Sequence, residues 1–421
     1  MTTISQYTGF NCSICGQFYE KDSVQYVCPK DSGNLDIVLN YENIKKRYKP
    51  EDIFIQKKHS MWRYLPLLPV KDPGWEETPL RSVGWTPTYQ NRLLSESLGL
   101  KTVWVKDEGR NPTASLKDRA SALVVARAME LQVEVIVTAS TGNAGAALAG
   151  MAAAVGQKAV IFAPKTAPPA KVAQLLVFGA KVVLVDGNYD EAFELSLQAS
   201  GEFGWYCRNT GFNPFTTEGK KTVALEIWEN QIIGSHLQER PLSIFVSVGD
   251  GNIISGLHKG FKDLMQLGWL DKAPRLFGVQ AEGSAAVAKA YINRSEVINP
   301  VSANTIADSI SVDYPRDGVR AIRAATQTGG GYLVVSDDEI LNAIKELGMY
   351  GIFAEPAGAA SLAGLKKAVH AKIIKPDDPV LIMVTGNGLK DVKAANQAVE
   401  PAPIIEPSMA ALKELMSKGN F

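Results

Sequence analysis

Eight short runs of β-branched and aliphatic residues, separated by helix-sized segments, constrain this chain more than any other feature. They are TVWV (102–105), EVIVTA (134–139), KAVIFA (158–163), KVVLV (181–185), SIFVSV (243–248), RLFGVQ (275–280), YLVV (332–335) and VLIMVT (380–385). Each is nearly continuous in apolar character, the pattern of a strand covered on both faces. Strands alternating with helices predict an α/β fold with a mainly parallel sheet and right-handed crossovers.

In such folds ligands gather beyond the carboxyl ends of the strands. Four of the runs lead into small, polar, glycine-containing loops. These are KDEGRNPTASLKDRA after 102–105, STGNAGAALAG after 134–139, GDGNIISGLHKGF after 243–248 and GNGLKD after 380–385. All four are expected at one edge of the sheet. GDGNIISG can turn backbone N–H groups toward one point, beside the positive end of a helix starting near Ile253. It reads as an anion cradle or as a plain tight turn. The Asp250 carboxylate would repel a phosphate unless it turns away. The loop matches neither G-x-x-x-x-G-K-[ST] nor the full G-x-G-x-x-G, which argues against a nucleotide or dinucleotide site.

NPTASLKDRA (111–120) puts Lys117 at the mouth of a helix, where the backbone dipole disfavours a cation. Lys117 is either a solvated ammonium paired with Asp118 or a lysine consumed in a Schiff base, which a site that lowers its pKa favours. Asp118 and Arg119 read as structural partners. A Schiff-base lysine, a phosphate cradle and a lone hydroxyl after a strand, Thr385, are together what pyridoxal phosphate needs.

Composition narrows the class. The 421 residues suffice for two or three domains. Forty-four basic residues balance 44 acidic ones, which argues against a nucleic-acid or membrane-surface binder. MTTISQYTGF has no secretory pattern. TASTGNAGAALAGMAAAVG (138–156) reads as a buried loop and helix rather than a membrane span. Four cysteines do not make a disulfide framework, so a cytoplasmic protein is expected.

Three of those cysteines lie near the start. Cys12-x-x-Cys15 and Cys28-Pro-Lys-Asp31 have the spacing of a zinc ribbon with aspartate in the fourth place. Zinc is one reading and a metal-free remnant the other. Cys207 reads as an isolated buried thiol. His59, His236, His258 and His370 show no paired metal spacing. Residues 1 to about 75 otherwise read as polar and irregular. At the other end, EPAPIIEP leads to a short helix with Met409, Leu412 and Met416 on one face and Gly419 as its stop.

NPTASLKDRA, ASTGNAGAALA, VSVGDGNIISG and VTGNGLKD, in this order, resemble the tryptophan-synthase-β-like (fold type II) pyridoxal phosphate enzymes, and among these the threonine synthases most closely. The resemblance runs from MWRYLPLLPV, near residue 60, to about residue 395. EGKKT (218–222) and FAEPAGAAS (353–361) also match. It implies two open, mainly parallel three-layer α/β domains with the cofactor between them, plus an irregular ribbon-like N-terminal segment. The implied divisions are an extension at 1–77, a large cofactor-binding domain at 78–130 and 205–398, a small mobile domain at 131–204, and a tail helix at 399–421. A homodimer is also implied.

The resemblance assigns roles. Lys117 would hold the cofactor covalently and act as the general base. Asn143 would hydrogen-bond the ring hydroxyl. Gly249, Asp250, Gly251, Asn252 and Ile253 would surround the cofactor phosphate, and Thr385 would meet the pyridine nitrogen. The implied substrate is O-phosphohomoserine, its carboxylate against Ser140, Thr141, Gly142 and Asn143. Partners for its phosphate would come from Thr113, Ser115, Lys106, Asn213 and Lys221, each of which reads equally as a cap or surface residue. The implied reaction is γ-elimination of phosphate and β-addition of water to give threonine, the last step of this aspartate-family route. The closest rival is cysteate synthase, which joins phosphoserine and sulfite; other β-replacement enzymes follow. A non-enzyme rival is a ribbon binding protein with a degenerate ligand-sensing domain. Intact Lys117, Asn143 and Thr385 oppose it, as does a ribbon with no basic excess.

Overall fold

The structure is a computed structural model that describes residues 6–230 and 240–417. His236 and Gly419 lie outside the described residues.

All eight apolar runs are strands, and they divide between two sheets. One has six strands in the order Gly331–Val335, Arg275–Ala281, Ser243–Ser247, Val380–Val384, Val103–Asp107, Thr88–Gln90. Its first five strands pair in parallel, and only the edge strand Thr88–Gln90 is antiparallel. The other has four parallel strands in the order Lys181–Val185, Lys158–Pro164, Val135–Ala139, Tyr206–Cys207.

Side chains alternate across the large sheet because a strand has a period of two. Ile244 and Val246 face one apolar cluster with Ile254, Leu257 and Phe261 of the helix Asn252–Leu267. Phe245 faces the other with Ala360 and Leu362 of the helix Pro356–His370, and it stacks on Phe277 at 4.8 Å. Helices therefore cover both faces, as the continuous apolar runs require.

The Gly- and Ala-rich stretch after Ala139 forms the helix Asn143–Ala153. Its small residues permit close approach: a Cβ on Gly150 would sit 2.5 Å from Thr113 Cγ2. That contact seats the Asn143 helix against the Lys117 loop. No helix among the described residues is long and apolar enough to cross a membrane.

The N-terminal segment departs from expectation. It is not irregular but forms a three-stranded antiparallel sheet, Phe18–Glu20, Tyr7–Cys12 and Leu35–Leu39. Tyr7, Phe10, Leu35, Ile37 and Leu39 are buried in the main apolar cluster, so this sheet is packed onto the body. The tail helix Met409–Ser417 is present but buries no residue; Met409 and Met416 are 65% and 57% exposed.

Candidate active site

Three of the four polar loops are tied together by backbone and side-chain contacts. Leu116 N–H donates to the Thr385 carbonyl at 2.9 Å, and Asn387 N–H donates to the Ala114 carbonyl at 3.0 Å. Ala114 adopts φ +64, a strained value for a residue with a Cβ, and this bend turns the chain into the helix Lys117–Glu130. Glu355 links a third loop. Its N–H donates to the Gly386 carbonyl at 3.1 Å, and its carboxylate accepts from Asn143 Nδ2 at 2.8 and 3.0 Å.

The Lys117 and Asn143 loops, together with the Gly249 loop, border a cavity of about 550 Å³. Its wall includes Lys117, Ser140–Asn143, Arg208, Lys220, Ser247 and Gly249–Ile253. Lys117 is half-buried, with part of its surface open to the cavity. Its Nζ has no hydrogen bond or ion pair among the described residues. The surrounding protein desolvates the amine and lowers its pKa; Glu355 pushes the other way, Arg208 lowers it further, and Asp250 raises it. A lowered pKa raises the share of free amine, the form that acts as nucleophile and base. Replacing Glu355 by Gln removes the nearby charge that most favours the ammonium. We expect the pH profile for fixing pyridoxal phosphate to the apoprotein with borohydride to move to lower pH in Glu355→Gln. A profile moved to higher pH would contradict this electrostatic picture.

The Gly249 loop forms a cradle of donors. Among the described residues, the backbone N–H groups of Gly249, Asp250, Gly251, Asn252 and Ile253 have no protein acceptor. They lie at the start of the helix Asn252–Leu267, so the helix dipole adds to them. Gly251 has φ +95, and a Cβ there would meet Ala321 Cβ and the Asp317 carbonyl at 2.7 Å. Gly251→Ala is expected to weaken pyridoxal phosphate binding about tenfold or more, from strain of ~1–3 kcal/mol, as read by titrating the apoprotein. The Asp250 side chain is drawn toward Arg316 N–H at 3.4 Å, and burial raises its pKa. Both effects reduce its repulsion of an anion. The Asn252 side chain faces away from the cradle, onto Thr217 and Asp317 at 2.8 and 2.7 Å and onto Lys220 Nζ.

Two cations lining the cavity were not foreseen. Arg208 is fully buried, meets Ser121 and Thr210 hydroxyls at 3.2 and 2.7 Å, and has no acidic partner among the described residues. Its Nη2 is buried with no hydrogen-bond partner among the described residues. Burial pulls its pKa down to about 10. Lys220 is equally buried, has only Asn252 Oδ1 as a partner among the described residues, and is pushed well below the usual lysine range by burial and by neighbouring Lys117. Cations held this way favour an incoming anion, which would relieve their desolvation. The sequence shows that these residues are basic but not that they lack counter-ions.

Other expected residues lie elsewhere. Thr385 is buried beside the cavity wall, its Oγ1 3.5 Å from Ser247 Oγ. Ser115 is buried with its hydroxyl unpartnered, bridged through its backbone to Gly386. Thr113 is committed to the Asp118 carboxylate through its N–H and hydroxyl. Asn213 is a turn residue bonded to the Cys207 carbonyl and Phe215 N–H. Lys106 is sealed in an ion pair with Glu226 at 2.7 Å, and Lys221 pairs with Asp263 at 2.8 Å and with Glu218. The structure thus puts Lys106 and Lys221 in buried salt bridges away from the cavity.

The donor set fits pyridoxal phosphate: an unpaired amine for an aldehyde, five unpaired N–H groups for a phosphate, and a neutral hydroxyl after a strand for a ring nitrogen. Comparison with known proteins agrees. Residues 80–386 match the family model described as pyridoxal-phosphate dependent enzyme. The threonine synthase of Methanocaldococcus jannaschii is 39% identical over 97% of this chain and 99% of its own length. That of Methanosarcina acetivorans is 36% identical over 96% and 97%. Among solved structures, the processed form of threonine deaminase isoform 2 from Solanum lycopersicum superposes with a TM-score of 0.63 at 21% identity, covering 83% of this chain and 91% of that one. Maize serine racemase gives 0.61 at 23% identity over 79% and 92%. These two establish the shared fold, while the family model and the close sequence relatives place the chain among the pyridoxal-phosphate-dependent enzymes, in the threonine synthase family.

Proposed function

We propose that this chain converts O-phosphohomoserine and water to threonine and phosphate. The observation that carries the reading is the pairing of an uncompensated lysine amine with two kinds of anion receptor in one cavity. The amide cradle at Gly249–Ile253 suits the cofactor phosphate. Arg208 and Lys220 supply further charge for a second dianion, the phosphate of the substrate.

When bound, pyridoxal phosphate supplies an electron sink for carbanion chemistry on the substrate. The protein supplies the rest. Lys117 would hold the cofactor through its amine, the one lysine amine of the cavity wall with no hydrogen bond or ion pair among the described residues. Its Nζ, whose pKa burial lowers, would then accept the α proton. The same group is placed to return protons to neighbouring carbons while phosphate leaves the γ-carbon and water enters at the β-carbon. Asn143, gripped by Glu355, would orient the cofactor ring hydroxyl. Thr385 would offer the ring nitrogen a hydroxyl rather than a carboxylate, which would not enforce a proton there. Ser140 and Thr141, with Gly142 and Asn143 at a helix start, receive the substrate carboxylate.

Residues 131–204 carry most of the four-stranded sheet and the Asn143 loop. We assign to this segment the closing movement that excludes water until the addition step. The enzyme acts on small molecules, and no disulfide joins its four cysteines, which suits the cytoplasm. A homodimer rests on the family resemblance. The test is phosphate release from O-phosphohomoserine against O-phosphoserine with sulfite. Preference for the first supports the reading; preference for the second makes the chain a cysteate synthase.

A further inference from the structure

The N-terminal sheet carries a second cluster that the reaction does not use. Two turns face each other across it, and they are built alike. In the first, Gly16 N–H donates to the Cys12 carbonyl at 3.1 Å, and Gly16 closes the turn with φ +72. In the second, Ser32 N–H donates to the Cys28 carbonyl at 2.9 Å, and Ser32 closes it with φ +58. Each turn offers its first and fourth residues inward. Those are Cys12 and Cys15 from one and Cys28 and Asp31 from the other. Asp31 therefore stands where the second turn would otherwise place a fourth thiol.

The four ligand atoms lie within 4.8 Å of one another. Cys15 Sγ is 3.8 Å from Cys28 Sγ, and Cys12 Sγ is 3.3 Å from Asp31 Oδ1. A tetrahedral zinc ion with Zn–S of about 2.3 Å has S···S edges of about 3.8 Å. The cluster has that size. Its surroundings also suit bound thiolates. Ile14 N–H points at Cys12 Sγ at 3.3 Å, Tyr19 Oη lies 3.1 Å from Cys28 Sγ, and Gly33 N–H holds Asp31 Oδ1 at 2.9 Å. Such donors orient ligands and offset their negative charge. A disulfide between Cys15 and Cys28 would leave Cys12 and Asp31 facing each other without a role.

We propose that Cys12, Cys15, Cys28 and Asp31 bind one zinc ion in a closed structural site. Soft thiolates in a tetrahedral frame select zinc over the harder divalent cations. The site has four protein ligands, the mark of a metal that staples structure. What it staples is visible. Arg323 donates to the Ser13 carbonyl inside the first turn. The strand that follows the second turn presents Asp36 to Arg320 at 2.7 Å. Arg320 grips Asp317 at 2.6 Å, and Asp317 N–H holds the Asp250 carbonyl at 2.9 Å. The metal turns thus brace the support of the anion cradle.

The test is metal analysis of the holoenzyme purified without chelator. About one zinc per chain is expected, falling to near zero in Cys15→Ser. Because that variant can misfold, the wild-type holoenzyme is also exchanged with cobalt. Tetrahedral thiolate-bound Co²⁺ gives absorption in the red, clear of the cofactor bands. Metal-free protein with four freely titrating thiols, a Cys15–Cys28 disulfide by mass, or zinc that persists in Cys15→Ser would each overturn the proposal.

Discussion

Lys117→Ala is expected to lower threonine formation by about 10⁴-fold or more, since one substitution removes both the covalent anchor and the base. It should also abolish fixation of the cofactor to the protein by borohydride. Cofactor binding itself should persist, weakened, because the Gly249–Ile253 amide groups do not depend on the lysine. A second lysine makes the test sharp. Lys220 also lines the cavity with a lowered pKa, but its Nζ is taken by Asn252 Oδ1. Mapping the borohydride-fixed peptide separates them: cofactor on Lys117 supports the assignment, and cofactor on Lys220 reverses it.

The second large effect concerns stability. Beneath the Lys117 helix lies a buried set of four charges, Lys106, Glu108, Arg119 and Glu226, all with fully buried side chains. Arg119 bonds Glu108 at 2.7 and 2.8 Å and Glu226 at 2.8 Å, while Lys106 bonds Glu226 at 2.7 Å. The four formal charges cancel. Glu226→Gln keeps the shape but leaves two cations facing one carboxylate. Breaking such a set costs ~3–5 kcal/mol. A clear fall in the urea midpoint of the apoprotein is therefore expected. Lys158→Ala provides the control: its pair with Glu134 is exposed, and such pairs contribute ~0–1 kcal/mol. Equal effects of the two substitutions would contradict the argument.

These two cases show what a sequence can and cannot reveal here. Seven of the eight parallel strands were legible because burial on both faces demands continuous apolar runs, and a run such as VLIMVT admits few other readings; KVVLV is an edge strand with no buried residue, so its apolar run does not mark cover on both faces. The edge strand Thr88–Gln90 was not, since it is short, largely exposed and follows Pro87. The N-terminal strands were hidden by their polar residues and by a register shift after Tyr7 that breaks the alternation of the first strand, although Leu35, Ile37 and Leu39 keep it in the third. Lys117, the Asn143 turn and the glycine cradle announce themselves through local chemistry at strand ends. Arg208, Lys220 and Glu355 do not. Their roles depend on which partner is missing or present across the fold, as with Glu355, which meets Asn143 from 212 positions away. Lys106 and Lys221 looked available for the same reason. Their neutralising carboxylates, Glu226 and Asp263, lie 120 and 42 residues along the chain.

The most direct measurement of the central claim is the reaction run in ¹⁸O-labelled water. Elimination at the γ-carbon followed by addition of water at the β-carbon breaks the C–O bond of the ester. The account predicts ¹⁸O in the threonine hydroxyl and none in the released phosphate. Label in the phosphate, with homoserine as the other product, would mean simple ester hydrolysis and would contradict it.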